Sequence, residues 1–403
     1  MNTVQIDQNL IIMQVIEEVA AKHGLAALLQ EKPFSGINGS GKHNNWSISS
    51  LTDVPLFLPK PLNEACGNDL AFPVIMAAVV AAFDEHGDMM RCAIASPGND
   101  FRLGAMEAPP AIISTYLGED MTSYLELFKN GDMKTYTPGS KKLSVGVEGV
   151  VPLKVPAEDR NRTSPMPYGG ARFEFRAVGS SQNVSLVNTV LNAICAQKFA
   201  EFADRIDAGE NAVDIAKEAL EKHWKVVFNG NGYDPANQDM LTERGVWRID
   251  SGVEAIKRLS AEKNLELFDK LNIMTKEETL AREECMLDHY TGTVEIEAGT
   301  LIDMINQHVI PSAKKANLTS SVADLEQAVS TLKAALKEVY DAEGSYEKAK
   351  LARVLRLETM IEIRNTIDAI EDVVPHDLWT LATYKELLFL DSHYGPRHSL
   401  CAP

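Results

Sequence analysis

One acidic residue, Glu174, stands between two arginines in the segment 171–176, which reads Ala-Arg-Phe-Glu-Phe-Arg. In a β-strand successive side chains point to opposite faces, so Arg172, Glu174 and Arg176 would share one face and the two phenylalanines the other. Guanidinium groups bind phosphate and carboxylate through paired hydrogen bonds. The pattern therefore favours a site for an anionic ligand, with a carboxylate suited to a metal ion. The alternative is an exposed strand whose charges only pair with each other.

A glycine-rich loop at residues 31–47 carries a second set of candidate groups. Residues 36–42 have the G-x-x-x-x-G-K spacing of a P-loop, but the next residue is His43, where a P-loop needs Ser or Thr to hold Mg²⁺. The residues that follow favour loop or strand, whereas a P-loop continues into a helix. We therefore expect this match to be accidental. His43 is either a metal ligand beside a closely approaching backbone or an ordinary surface histidine.

A third loop, at residues 96–112, is rich in turn-forming residues and presents Arg102 and Glu107 ahead of a predicted strand. Ligand contacts concentrate in loops of this kind when a rigid scaffold holds them. The loop is therefore a further candidate part of the site.

Helices that could hold these loops are predicted where apolar residues recur at helical spacing. Asp7 could cap the first helix, whose apolar face includes Ile12 and Ile16. The segments 68–86 and 183–202 are mostly apolar and predict core helices.

The composition limits the class of protein. With 403 residues, of which 45% are hydrophobic, the chain is long enough for two domains. Its formal net charge of -18 disfavours nucleic-acid binding, which relies on a basic surface. Five scattered cysteines without a C-x-x-C pair are typical of reduced thiols. The sequence has no apolar run long enough for a bilayer and no evident signal peptide, so we expect a soluble cytoplasmic protein.

After about residue 205 the sequence takes on a helical character. Apolar residues in the segment 322–339 recur in steps of three and four, as in a seam between helices, and Gly344 breaks this pattern. A second apolar series lies in the segment 360–370, so the two predict an antiparallel hairpin of long helices. The histidines of this half have no metal-ligand spacing, and we interpret it as a docking or assembly element or a purely structural one.

Three motifs occur in a fixed order along the chain: residues 38–47, residues 99–110, and residues 160–164 with 172–176. Together they resemble the catalytic domain of glutamine synthetase, most closely the large type III class. The resemblance implies an α+β fold. Residues 1–205 would be the C-terminal part of the catalytic domain, an antiparallel-rich curved sheet with flanking helices. Residues 206–403 would be the helical C-terminal domain of that class.

The resemblance also implies a reaction, in which ATP phosphorylates the side chain of glutamate and ammonia then displaces the phosphate. His43 and Glu174 would bind the metal ion, Mg²⁺ or Mn²⁺, at the phosphates of ATP. The other implied site residues are Asn38, Gly39 and Arg102 for glutamate; Glu107 for binding and deprotonating ammonium; Arg162 and Arg172 for ATP phosphates; Arg176 for the reacting carboxylate or phosphoryl group; and Asn45 and Ser47 for the nucleotide.

The family assembles as large ring-shaped homo-oligomers, and its fold begins with a β-grasp domain and strands that carry several metal-binding glutamates. No such strands are evident before Asn38. We therefore expect a chain that is inactive alone and acts as a homo-oligomer or with a missing N-terminal half. The alternatives are a truncated relative with an assembly or regulatory role, a ligase for another amine, and a P-loop nucleoside triphosphatase.

Overall fold

The computed structural model of the chain describes residues 2–104, 108–138, 140–143, 153–156 and 161–389. These residues are mostly helical with small sheets, which agrees with the predicted α+β class. In chain order, the helices are α1 (Asn2–Lys22), α2 (Pro59–Cys66), α3 (Ala71–Glu85), α4 (Gly87–Ala93), α5 (Pro97–Arg102), α6 (Gly118–Lys129), α7 (Ser185–Asp207), α8 (Ala212–His223), α9 (Pro235–Glu243), α10 (Gly252–Lys257), α11 (Glu262–Lys270), α12 (Lys276–Met304), α13 (Ile310–Lys315), α14 (Thr319–Asp341), α15 (Ser345–Val354), α16 (Met360–Glu371) and α17 (Tyr384–Leu388).

The strands are short and pair two by two. They are β1 (Gly41–Trp46), β2 (Thr115–Tyr116), β3 (Ser140–Leu143), β4 (Leu153–Pro156), β5 (Met166–Pro167) and β6 (Phe173–Gly179). Within the described residues β1 pairs with β6 and β3 with β4, both antiparallel, while β2 and β5 are parallel. The continuous curved sheet therefore stays a prediction.

Spatial contacts divide the chain into two compact units. One comprises Gln30–Thr279, and the other combines Met1–Leu29 with Leu280–Pro403. The boundary falls within α12. The domain boundary predicted near residue 205 followed a change in sequence character, and it stays a prediction.

The core of the unit Gln30–Thr279 lies around α3, which packs against α7 and α8. The phenylalanines of β6 point into this core, as their alternation with charged residues predicted. Phe173 is fully buried, and its ring meets those of Phe57 and Phe83 edge-on, at centroid distances of 5.2 Å each. Because the core holds one face of β6, the opposite face is fixed in direction.

The unit that combines Met1–Leu29 with Leu280–Pro403 is helical. Helix α14 packs against α15 and α16, and Gly344 occupies the left-handed region, at φ 81°, just before α15 begins. Leu325 and Leu332 of α14 are fully buried. No single helix among the described residues has both the length and the apolar composition to cross a bilayer. Helices α2 and α3, which are bent relative to each other, are long and apolar enough only when they are taken together, by length and composition alone.

Helix α1 corrects one expectation. It begins at Asn2, so Asp7 lies inside the helix and does not cap it. Its predicted apolar face, which includes Ile12 and Ile16, is not buried by the described residues, since these two side chains are 55% and 45% exposed.

Candidate active site

The antiparallel pairing of β1 with β6 brings His43 and Glu174 together. Asn45 lies opposite Glu174, and the register shifts between Lys42 and Asn44. Such an irregularity re-aims the side chain that it displaces. Nδ1 of His43 lies 2.6 Å from Oε1 of Glu174, so two motifs that are 131 positions apart meet at one point.

The backbone after Lys42 is the strand β1, not the helix that a P-loop requires. Nζ of Lys42 donates a hydrogen bond to the carbonyl of Gln182. Burial lowers the pKa of Lys42, although the nearby Glu31 raises it. The structure therefore supports the interpretation of the P-loop spacing as accidental.

A cavity of ≈ 280 Å³ lies beside the His43–Glu174 pair. Its lining combines a glycine-rich backbone with three basic side chains. The lining residues are Gly39, Ser40, Gly41, His43, Arg102, Ala108 and Arg176. All three sequence motifs thus contribute to a single cavity.

Arg102 is held in place by the end of β6. Its Nη1 donates to Asn99 Oδ1 at 3.3 Å and to the Val178 carbonyl at 3.1 Å, and its Nη2 donates to the Arg176 carbonyl at 3.0 Å. Burial lowers the pKa of this guanidinium, which nevertheless stays charged as arginines do in proteins. These bonds leave guanidinium N–H donors that can bind a carboxylate.

Asn99 was not assigned a role from the sequence, although it fixes Arg102. It is fully buried, and its Nδ2 donates to the carbonyls of Ile94 and Ala177 at 2.8 Å each. Its Oδ1 is thereby turned towards Arg102. An asparagine in a turn-rich loop gives no sequence signal that separates such a role from ordinary turn formation.

Arg176 is the second buried cation of the cavity, with only 7% of the residue exposed. Its Nη1 donates to the Asn161 carbonyl at 3.2 Å, and its Nε lies 3.8 Å from Oε1 of Glu174. Within the described residues, Nε has no hydrogen-bond partner. A buried guanidinium with an unused donor is costly without a ligand, so the cavity suits an anion.

Glu31 is a second residue that the sequence did not identify. It is buried; Oε1 accepts hydrogen bonds from the backbone N of Ser181 at 2.9 Å and from its hydroxyl at 2.6 Å. Its carbonyl accepts from Ser40 N at 2.8 Å, and a side chain at Gly39 or Gly98 would overlap Glu31. The residue thus ties the glycine loop to α5 and to the end of β6. A single acid at the start of a loop has no periodicity that would reveal this.

The environment of His43 suits a neutral imidazole. Burial is the main cause that lowers its pKa; Arg176 lowers it further, and Glu174 opposes the shift. A neutral imidazole nitrogen and a carboxylate oxygen are both donors for Mn²⁺ or Mg²⁺. Among the described residues no group of three or more such donors occurs, so these residues supply a partial ligand set.

The remaining predicted residues lie around this centre. Nε of Arg172 donates to Asn45 Oδ1 at 2.6 Å across the neighbouring strands, and Ser47 is exposed just after β1. Asn38 is exposed in the glycine loop, and Arg162 is exposed on the turn at 161–164. Glu107 lies outside the described residues. The structure therefore brings Gly39, His43, Arg102 and Arg176 to the cavity and places Glu174 against His43.

Two protein-family models match the chain. The model described as "Glutamine synthetase, catalytic domain" matches residues 2–70, and the model described as "Glutamine synthetase C-terminal domain" matches residues 211–327. The resemblance that the motifs indicated is therefore confirmed in two separate segments of the chain.

Curated relatives carry the same name. The chain is 35% identical to the type-3 glutamine synthetase of Dictyostelium discoideum, over 95% of the chain and 57% of that protein. It is 32% identical to the glutamine synthetase of Butyrivibrio fibrisolvens, over 96% of the chain and 59% of that protein. It is 31% identical to the glutamine synthetase of Bacteroides fragilis, over 95% of the chain and 58% of that protein. The chain thus spans between 57% and 59% of the length of these relatives.

Proposed function

We propose that this chain, which is related to the type-3 glutamine synthetases over 95% of its length, supplies part of the active site of an ATP-dependent glutamate–ammonia ligase. In this reaction ATP phosphorylates the γ-carboxylate of glutamate, and ammonia displaces phosphate from the γ-glutamyl phosphate. The observation that carries the proposal is the convergence of Arg102 and Arg176 on one cavity beside His43.

The two arginines suit two anionic groups, the α-carboxylate of glutamate and the reacting carboxylate or phosphoryl group. Arg102, which is fixed by Asn99 and by carbonyls of β6, would bind the α-carboxylate of glutamate, with Asn38 and Gly39 alongside it. Arg176 would face the reacting carboxylate or phosphoryl group, where negative charge develops, because its Nε is not used within the described residues.

The nucleotide would lie on the exposed side of the β1–β6 pair. Arg162 and Arg172 would bind ATP phosphates, and Asn45 and Ser47 would contact the nucleotide. The hydrogen bond between Arg172 and Asn45 supports this, because it places two of these residues side by side. Glu107 would bind and deprotonate ammonium.

His43 and Glu174 would hold a divalent ion, Mg²⁺ or Mn²⁺, which when bound would neutralise charge on the transferred phosphoryl group. Phosphate oxygens and water commonly complete such a coordination sphere. The direct contact of 2.6 Å between the two side chains supports a shared ion, because both already point to one place.

We further propose that activity depends on the part of the relatives that this chain does not span, and on assembly into a homo-oligomer in the cytoplasm. Helix α1 supports the first point, because it exposes apolar side chains that include Val4, Ile11 and Ile12, at 55–60% exposure. Free thiols at the described cysteines are consistent with a reducing compartment.

The test is the formation of γ-glutamyl hydroxamate from glutamate, hydroxylamine and ATP. We expect little product from the purified chain and restored activity when the remaining part of the Dictyostelium relative is supplied as a separate polypeptide. In that mixture Arg176→Ala should abolish the activity, whereas Arg364→Ala, a change on the exposed face of α16, should not. Product formation that Arg176→Ala leaves unchanged would overturn the proposed site.

A second candidate is an inactive relative that binds other synthetase subunits. It is favoured by the partial ligand set, because the described residues include no group of three or more metal-binding side chains. Mixing the chain with a full-length type-3 synthetase and following sedimentation separates the two functions. Co-sedimentation without any hydroxamate formation by the complemented mixture would support the second candidate.

A further inference from the structure

The loop at residues 229–232, which reads Asn-Gly-Asn-Gly, contacts the turn that carries Arg162. The loop lies in the segment 211–327, which matches the C-terminal domain model and contains none of the predicted site residues. Both the loop and the turn belong to the unit Gln30–Thr279.

Hydrogen bonds join the loop to both neighbours of Arg162. Nδ2 of Asn161 donates to the carbonyl of Gly230 at 2.9 Å. The hydroxyl of Thr163 donates to Asn161 Oδ1 at 2.7 Å and accepts from the backbone N of Gly232 at 2.8 Å. A side chain at Gly232 would come within 2.9 Å of the Thr163 carbonyl, so this position requires glycine.

Asn229 anchors the loop on its other side. Its Oδ1 accepts hydrogen bonds from the backbone N of Leu117 and of Gly118, at 3.2 Å each, where α6 begins. Its Nδ2 donates to the hydroxyl of Thr122 at 2.7 Å. One side chain therefore fixes the loop to α6 with three hydrogen bonds.

This connection reaches the cavity through Asn161. The carbonyl of Asn161 accepts the hydrogen bond from Nη1 of Arg176, at 3.2 Å. The loop thus holds Asn161 by its side chain, while Asn161 holds Arg176 by its backbone. If Asn161 moves, the guanidinium of Arg176 loses its one hydrogen bond to the described residues, and Arg162 changes position.

We propose that Asn229 is a positioning residue, which through the 229–232 loop sets Arg176 and Arg162 for an anionic phosphate group. The C-terminal segment thereby contributes to the phosphate side of the site without contacting the ligand. The inference rests on the proposed function for the identity of the ligand, but the structural coupling itself can be measured without any ligand.

The first measurement is amide hydrogen exchange of peptides that cover residues 161–168. The backbone N of Thr163 donates to Asn161 Oδ1 at 2.9 Å, so its protection reports the position of Asn161. Asn229→Ala should raise exchange in these peptides about tenfold. Asn237→Ala, which removes a bond from α9 to the same loop, is the matched control and should leave them unchanged. Unchanged exchange in Asn229→Ala would overturn the coupling.

The second measurement is the binding of inorganic pyrophosphate by calorimetry. Asn229→Ala should weaken binding about tenfold, and Asn229→Asp, whose oxygens still accept from the backbone of α6, should restore most of it. In an Arg176→Ala background Asn229→Ala should weaken binding by less than it does in the wild type, because only Arg162 is then left to be displaced, whereas a merely structural defect would give the same loss in both backgrounds.

Thr163→Val offers an independent test, because it removes the hydroxyl that accepts the hydrogen bond from the backbone N of Gly232 and leaves Asn229 unchanged. It should raise exchange and weaken binding in the same way. If Asn229→Ala raises exchange but binds pyrophosphate like the wild type, the inference is wrong. If the wild type itself binds no pyrophosphate while exchange responds as expected, the proposed function fails and the coupling stands.

Discussion

At the scale of single residues, Gly41 determines whether Arg102 can occupy its position. A Cβ atom on residue 41 would overlap the guanidinium of Arg102, which hydrogen bonds hold in place. We predict that Gly41→Ala displaces the guanidinium and weakens glutamate binding about tenfold to hundredfold, the loss of a charge-assisted contact. Calorimetric titration with glutamate measures this.

A glycine with open surroundings provides the control for this substitution. A Cβ atom on Gly299 of α12 would meet no side chain or neighbouring element within 4 Å, so Gly299→Ala should leave glutamate binding unchanged and add roughly 0.5–1 kcal/mol of stability. Equal binding by Gly41→Ala and the wild type would show that Arg102 does not bind the substrate.

His86 illustrates how a buried group links stability to pH. It is 1% exposed, and its Nε2 lies 2.7 Å from Gln197 Oε1. Burial is the main cause that lowers its pKa; Lys263 adds to this, while Glu85 and Asp88 oppose it. Because the pKa is lower in the folded state than in the unfolded chain, the stabilisation is complete above about pH 6.5 and is lost as the pH falls.

We therefore predict that His86→Gln reduces the fall in melting temperature between about pH 7.5 and pH 5.5. Glutamine keeps a side chain that can bond Gln197 and does not titrate. Thermal unfolding followed by circular dichroism gives the comparison, with His289→Gln on the exposed face of α12 as the control. The same pH dependence in His86→Gln and the wild type would exclude His86 as its source.

At the scale of elements, patterns between neighbouring residues could be predicted from the sequence, whereas contacts between residues distant in sequence could not. The alternation around Glu174 predicted the buried face of β6, because the period of two belongs to the strand itself. The exposed face of α1 was not predicted, since apolar spacing identifies a helix but not what covers it. Asn99 and Glu31 were missed for a related reason: their partners are distant in sequence.

A buried carboxylate joins α4 to α11 and to Arg258, which precedes α11. Asp88 has no exposed surface; its Oδ1 accepts from Lys263 Nζ at 2.7 Å, and its Oδ2 accepts from Arg258 Nε at 3.0 Å and Asn264 Nδ2 at 3.1 Å. We predict that Asp88→Ala lowers the free energy of unfolding by about 3 kcal/mol, because its partners lose their counter-charge. Urea denaturation measures this.

The control for Asp88 is Asp207→Ala, which removes an exposed carboxylate at the end of α7. It should change the free energy of unfolding by no more than about 0.5 kcal/mol. Similar values for the two variants would mean that the carboxylate of Asp88 contributes little to joining these elements.

At the scale of the whole molecule, the order of the three motifs was sufficient to predict that they form one site. The motifs carried this information because their residue types are rare in combination, whereas the elements that hold them, such as the loop at 229–232, consist of ordinary turn residues. The same limit applies to the division into compact units, because the pairing of Leu25 with Phe389 leaves no local signal in the sequence.

The two compact units predict unfolding in more than one step, because large chains with separate cores depart from two-state behaviour. Only the unit Gln30–Thr279 contains the cavity with Arg176. Pyrophosphate at a hundred times its Kd should therefore stabilise the unit Gln30–Thr279 by about 2.7 kcal/mol and raise the temperature of one calorimetric transition. Arg176→Ala should remove that effect. Leu325→Ala, at a fully buried position of α14, should lower the temperature of the other transition. A single transition that responds to both changes would show that the units unfold as one, since ligand binding would then stabilise both cores together.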